Sequence, residues 1–219
     1  MELMERFLSE LVQINPNINI ELIKKAYLKA EAYHEGQLRK SGEPYLVHPV
    51  EVAIILAELG MDENTIVAGL LHDTVEDTSY SEEELKVDFG EEVALLVDGV
   101  TKLGSLVFES KEERQAENLR KMFLAMSKDI RVLIIKLADR LHNLRTINYM
   151  SDEQIKEKCK ETLEIYAPLA SRLGIYAMKF ELEDIALKHL DPDAYYDLVS
   201  QVKTKKQPRE EYINKGIDE

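Results

Sequence analysis

Cysteine is all but absent from this chain: Cys159 stands alone. A lone thiol forms no internal disulfide and supplies no Cys pair for a zinc ribbon, which fits a reducing compartment and gives the expectation of a cytoplasmic protein. Positive charge is scarce as well, with 28 Lys and Arg against 42 Asp and Glu, a net charge of −14. A nucleic-acid binder wants a basic face, so that class is disfavoured. A small anionic substrate needs only a local cation or metal and stays open. Long apolar runs are missing too. The longest, Val52 to Ala57, is far short of a membrane span. The N-terminal stretch mixes charges with its apolar residues and lacks the h-region of a signal peptide, so no membrane binding is expected. There is no sustained period-2 alternation bounded by turn residues, and no sheet is expected.

Hydrophobic residues at 45% and charged residues at 32% instead suit a packed, folded core. The periodicity is helical. Ile20, Ile23, Tyr27 and Ala30 share one helix face, as do Leu137, Leu141 and Leu144. Ser81 with Glu84 and Ser151 with Gln154 fit the capping box. Asp191-Pro192 reads as an N-cap followed by Pro at the first helical position. Gly60, Gly90 and Gly174 each follow an apolar stretch as C-terminal caps. These signals predict an all-α domain of about ten helices. The least patterned segment, Gly104 to Arg114, is expected to be a loop, and Met122, Phe123 and Met126 core. Residues 1–199 are expected to form the domain and 200–219 a linker or terminal helix, because Lys203 to Glu219 is too polar to bury alone.

Candidate chemistry gathers around three stretches. His72 and Asp73 are adjacent in AGLLHDTVEDT, His48 lies upstream in YLVHPVEVA at an expected helix start, and Asp139 lies downstream in KLADRLHNLRT. Mixed imidazole and carboxylate donors suit Mn, Fe or Zn better than Mg or Ca. Four such ligands leave positions open for water or substrate, as a catalytic ion requires. If the helix continues past His72, Glu76 and Asp77 stand one turn on from His72 and Asp73, able to position water or move a proton. Lys136, Asp139, Arg140, Asn143 and Thr146 form a polar stripe beside the leucine stripe, suited to reading a substrate. Arg39, Lys40, Ser41 and Gly42 offer two cations, a hydroxyl and a turn glycine to phosphate. His34, His142 and His189 read as structural or surface residues, and Lys102 as a buttress or a simple ion-pair partner.

The stretches RKSGEPYLVHP, HDTVEDT, DGVTKL, KLADRLHNLRT, APLASRLGIYAMKFELEDIAL and LDPDAYYDLV occur here in order. In this the chain resembles the N-terminal hydrolase domain of the RelA/SpoT homologue family of bacterial Rel proteins, within the HD phosphohydrolase superfamily. The resemblance implies Mn²⁺ on His48, His72, Asp73 and Asp139, with other divalent metals such as Fe, Co or Zn open, and Glu76 and Asp77 as catalytic carboxylates. It implies Arg39, Lys40, Ser41, Asn143 and Thr146 around a guanosine nucleotide. The implied reaction removes pyrophosphate from the 3′ position of (p)ppGpp, leaving GDP or GTP, in the stringent response. Full-length members continue into a synthetase domain and regulatory domains, and no nucleotide-binding stretch of that kind follows Val199, so a fragment without synthetase activity is expected. Thr74 stands where the family pattern leads one to expect an aliphatic residue. A catalytically silent regulatory module and a hydrolase of another nucleotide are the competing readings.

Overall fold

The structure, a computed structural model, describes residues 2–104 and 129–202. The expected loop after Gly104, the cores at Met122, Phe123 and Met126, and the tail from Lys203 lie outside the described residues. Among the described residues the architecture is all-helical, as expected, with an isolated Leu38–Pro44 bridge in place of any sheet. The backbone divides into two compact units, Met1–Asn143 and Leu144–Glu219.

The first unit is built around α3 (Val47–Glu58) and α4 (Glu63–Leu71). Both helices are apolar on nearly every face, and nearly every residue between Val50 and Ala57 is buried. A helix hydrophobic all round must be covered on several sides. The cover comes from α1 (Glu2–Ile14), α2 (Ile20–Tyr33) and α7 (Glu91–Gly104), with α6 (Glu82–Phe89) outside α7. α2 turns Ile23, Tyr27 and Ala30 inward as its periodicity predicts, with Ala26 beside them and Ile20 only half-buried, and Tyr27 stacks on Phe7 of α1 with ring centroids 6.0 Å apart. The short α5 (Thr74–Asp77) follows α4 after a break, and α8 (Ile130–Arg145) buries Leu137, Leu141 and Leu144.

Local rules set the boundaries. Ser81 accepts from the Glu84 amide and Glu84 returns the bond, closing the first of the two expected capping boxes. Gly60 and Gly90 both have positive φ, a conformation that costs glycine nothing. Asp62 caps α4 through the Thr65 amide and hydroxyl. Arg131 then ties the N-terminal ends of three helices together, reaching Asp129, Glu92 and Asp62 at 2.6, 2.6 and 3.4 Å.

The second unit contains a 3₁₀ turn (Ile147–Tyr149), α9 (Asp152–Glu161), a π-helical turn (Thr162–Tyr166), α10 (Ala167–Arg172) and α11 (Tyr176–Leu190). Ser151 and Gln154 form the second capping box, and the Asp191 carboxylate accepts from the Ala194 amide at the start of a helical segment over residues 192–202. Cys159 is buried here.

Two outcomes test this packing. A methyl at Gly99 would lie 2.7 Å from a Val132 methyl, and β-branched Val132 cannot swing away. Gly99→Ala should therefore cost about 1–3 kcal/mol in urea unfolding. Asp88 accepts from Lys29 at 2.7 Å and from the Tyr80 hydroxyl at 2.8 Å. The Lys29 bond holds its carboxyl below the ordinary value. Its stabilisation is thus complete above the unfolded carboxylate pKa of about 3.9 and fades as pH falls through the folded value. Asp88→Asn should lower stability by about 1 kcal/mol, after allowance for solvent screening, between pH 5 and 8. The gap from the parent protein should close below about pH 4 in denaturation curves taken across pH.

Candidate metal centre

The site forms where the C-terminal end of α4, the first turn of α3 and the second half of α8 meet, all within the first unit. His48, His72 and Asp139 are buried, and each offers one ligand atom within 4.8 Å of the others. His48 Nε2 lies 3.3 Å from Asp139 Oδ1 and 3.6 Å from Asp73 Oδ2. His72 Nε2 lies 3.1 Å from Asp73 Oδ1 and 4.0 Å from Asp139 Oδ1. The structure thus brings together the four residues His48, His72, Asp73 and Asp139.

The helix does not run on through His72. α4 stops at Leu71 and α5 begins at Thr74, with Asp73 at φ −95° and ψ −9° between them. Two side chains take up the carbonyls that the ending helix leaves free. His72 Nδ1 donates to Gly69 O at 2.8 Å, and the Thr74 hydroxyl donates to Leu71 O at 2.6 Å. Thr74, the departure from the expected aliphatic residue, is fully buried and secures this break. The break lets adjacent side chains, which an unbroken helix would splay by about 100°, face one point.

The conditional expectation for Glu76 and Asp77 is met only in part. The Asp77 amide donates to Asp73 O at 2.9 Å, so Asp73 and Asp77 keep the one-turn relation, but His72 and Glu76 belong to different helical segments. The Tyr45 hydroxyl donates to Asp73 Oδ2 at 2.6 Å and reaches Asp77 Oδ2 at 3.2 Å, bridging the two carboxylates. Glu76 and Asp77 are exposed beside the buried cluster. Partial burial, with the Asp77 and Asp73 charges, raises the Glu76 carboxyl above its ordinary value.

The remaining site residues divide. Arg39, Lys40 and Ser41 sit on a tight turn closed by Gly42 N–H to Arg39 O at 2.9 Å, and Gly42 has φ +86°. Arg39 points inward, donating to His142 Nδ1 at 3.1 Å and Asn143 Oδ1 at 3.0 Å. The Asn143 amide donates in turn to Asp139, and Lys136 reaches Asp139 Oδ2 at 2.7 Å. Ser41 pairs with Glu43 at 3.1 Å, and Lys40 is exposed. Thr146 falls in the second unit, just before the 3₁₀ turn. Lys102 pairs with Asp98 at 2.6 Å.

Sequence reasoning missed three neighbours. His142 is buried with Nδ1 2.7 Å from His48 Nδ1. Tyr45 bridges the carboxylates, and buried His34 stacks on the Tyr45 ring with centroids 4.6 Å apart. The only signals were that His142 lies one turn on from Asp139 and that Tyr45 lies three before His48, helical spacings that mean little without the fold.

The electrostatics fit a cation. Burial alone would raise Asp139, but Lys136 and the His48 and His72 imidazoles hold it well below the usual carboxylate range. Burial opposes charge on His72, yet Asp73 and Asp139 outweigh it and push the imidazole up to about 9. Burial lowers His48. His72 Nε2 is buried and lacks a hydrogen-bond partner. With Nδ1 committed to Gly69, Nε2 faces the carboxylates carrying either a lone pair for a metal or, without an ion, the proton that answers their charge.

The sequence pattern of the HD domain matches residues 26–176. This chain belongs to the HD domain family. HD domains imply a divalent metal, and the buried His48, His72 and Asp139 meet that requirement. Over 98% of its length the chain is 53% identical to a Myxococcus xanthus protein named GTP pyrophosphokinase, of which it spans 29%. It is 49% identical to an Aquifex aeolicus guanosine-3′,5′-bis(diphosphate) 3′-pyrophosphohydrolase and 48% identical to the Escherichia coli bifunctional (p)ppGpp synthase/hydrolase SpoT, spanning 30% of each. The resemblance read from the motifs is borne out by these relatives. Among solved structures, a metazoan SpoT orthologue that hydrolyses ppGpp is similar to this HD domain. It is 27% identical with a TM-score of 0.56, and the match covers 75% of this chain and 93% of that one. Among the described residues no helix is long and apolar enough to cross a membrane.

A metal that binds only the folded HD domain must stabilise it by mass action. Divalent metal added to chelator-treated protein at a hundredfold excess over Kd should add about 2.7 kcal/mol and raise Tm in thermal scans. The shift should vanish in His72→Ala and in Asp139→Asn.

Proposed function

We propose that this HD domain hydrolyses (p)ppGpp, releasing the 3′ pyrophosphate and leaving GDP or GTP, and so acts to switch off the stringent response in the cytoplasm. The observation that carries this reading is one arrangement: buried His48, His72 and Asp139 converge with half-buried Asp73, and exposed Glu76 and Asp77 lie beside them. Relatives about half identical over nearly the whole chain that bear hydrolase names support it.

In this reading His48, His72, Asp73 and Asp139 hold Mn²⁺. When bound, the ion lowers the pKa of a coordinated water and offsets charge on phosphoryl oxygens. The protein's own groups do the rest. Tyr45 holds the Asp77 carboxylate beside Asp73, so Asp77 is oriented before substrate arrives. Glu76 and Asp77, open to solvent, align the attacking water, accept its proton and return a proton to the departing 3′ oxygen. Lys40 and Ser41, on the turn before α3, meet phosphate, while Arg39 and Asn143 border the metal cluster and face the guanosine nucleotide. Relatives more than three times longer than this chain leave room for synthetase and regulatory domains as partners in an intact protein.

The test is pyrophosphate release from ppGpp by chelator-treated protein with and without Mn²⁺. Mn²⁺-dependent release with GDP as co-product is expected. Asp73→Asn should abolish it, and Glu76→Gln should lower kcat by about 10²–10⁴-fold while Mn²⁺ binding survives. A folded protein that binds Mn²⁺ and releases no pyrophosphate would point to an inactive state or to another nucleotide substrate, and one that binds no Mn²⁺ to a silent regulatory module.

A further inference from the structure

The turn that carries Arg39, Lys40 and Ser41 is closed on itself. Gly42 N–H donates to Arg39 O and Arg39 N–H to Glu43 O, each at 2.9 Å, and Leu38 pairs with Pro44 below them. Tyr45 N–H returns to Gln37 O at 3.0 Å, and the chain then enters α3. Lys40 and Gly42 at the tip are exposed. Such a turn keeps its own shape, but bonds within it do not stop it pivoting about its base. Arg39 supplies a hold from outside. Its guanidinium crosses to α8 and lands on two consecutive residues, with Nη1 3.1 Å from His142 Nδ1 and Nη2 3.0 Å from Asn143 Oδ1. Consecutive side chains diverge by about 100° around a helix. One point charge does not meet both, whereas the planar fork of arginine does.

The contact reaches beyond Asn143. A guanidinium only donates and a carboxylate only accepts, so an amide set between them has one orientation that serves both. Asn143 takes it: Oδ1 accepts from Arg39, and Nδ2 donates to Asp139 Oδ1. Lys136 holds the other Asp139 oxygen at 2.7 Å. The Asp139 carboxylate is thus gripped from both sides along α8, and the grip on Oδ1 is oriented by Arg39. We propose that Arg39 is a positioning residue, a clamp that fixes the Arg39–Gly42 turn to α8 and, through Asn143, sets the Asp139 carboxylate before ion or nucleotide arrives. This deepens the metal and nucleotide reading given above and rests on it for its consequence. A residue that did nothing but meet nucleotide would leave the empty protein unchanged when altered. The clamp works in the empty protein, and its loss is felt at both ends, as looseness in the turn and as a weaker metal site.

Arg39→Lys separates the two roles, because it keeps the charge and loses the fork. In chelator-treated, nucleotide-free protein, hydrogen exchange at the Gly42 and Tyr45 amides, which close the turn, should quicken by about tenfold in Arg39→Lys. Amides of α1 and α2 should keep the parent's rates, which distinguishes a loosened turn from a weakened fold. Calorimetric titration with Mn²⁺ alone, again without nucleotide, should show affinity falling by about 10–100-fold in Arg39→Lys. Asn143→Ala should weaken Mn²⁺ binding by a similar factor, and the double variant should bind no more weakly than Asn143→Ala, since both act along one line of contacts. If Asn143→Ala does not fold, the two measurements on Arg39→Lys decide alone. Unchanged exchange in the turn would overturn the proposal. So would unchanged Mn²⁺ affinity in Arg39→Lys beside a parent protein that binds the ion, or losses that multiply in the double variant. A parent protein that binds no Mn²⁺, with turn amides that respond to Arg39→Lys as expected, would instead overturn the metal-centre reading and leave the clamp on the turn standing.

Discussion

Two imidazoles and two carboxylates gathered at one buried point are the constraint from which the rest of the first unit follows. Taking such groups out of water costs several kcal/mol per charge unless each finds a partner. The surrounding side chains meet that demand. Lys136 and Asn143 reach Asp139 from its own helix, Tyr45 reaches Asp73, Gly69 O accepts from His72, and His142 contacts His48. One polar atom in the cluster, His72 Nε2, is left without a hydrogen bond, and it faces the carboxylates. A buried ring nitrogen left open toward carboxylates, in side chains otherwise hydrogen-bonded, is what a ligand set shows and a closed polar knot does not.

The backbone serves the same end. α3 and α4 are apolar enough to be rigidly packed, and rigidity is what a ligand set needs if its geometry is to be held. Gly69 brings α4 against Leu56 of α3, three residues before the His72 ring that its carbonyl anchors. The helix then breaks between Leu71 and Thr74, and the break, secured by Thr74, turns two consecutive side chains to one target. Opposite chemistry lies a few residues on. Glu76 and Asp77 are exposed, so the unit offers a dry ligand cluster with wet carboxylates at its edge. That gradient suits an ion that must be held firmly while water comes and goes.

The parts of this protein that its sequence determined by itself are those governed by neighbours a few residues apart. The inward faces of α2 and α8, the capping boxes at Ser81 and Ser151, the Asp191 cap and the glycines at 60, 90 and 174 all follow from helical period and terminal hydrogen bonding, which are local laws. The residue types at His48, His72 and Asp139 also pointed to a divalent metal, because donor chemistry is carried by the side chain whatever the fold. Only the tertiary structure decided that the helix breaks at His72, that Arg39 turns inward, and that His142 and Tyr45 stand against the cluster. Each depends on partners distant along the chain, 103 residues apart for Arg39 and His142 and 94 for His48 and His142. No periodicity encodes such a meeting. It is set by how apolar helices close-pack, and the polar groups caught between them must then find one another.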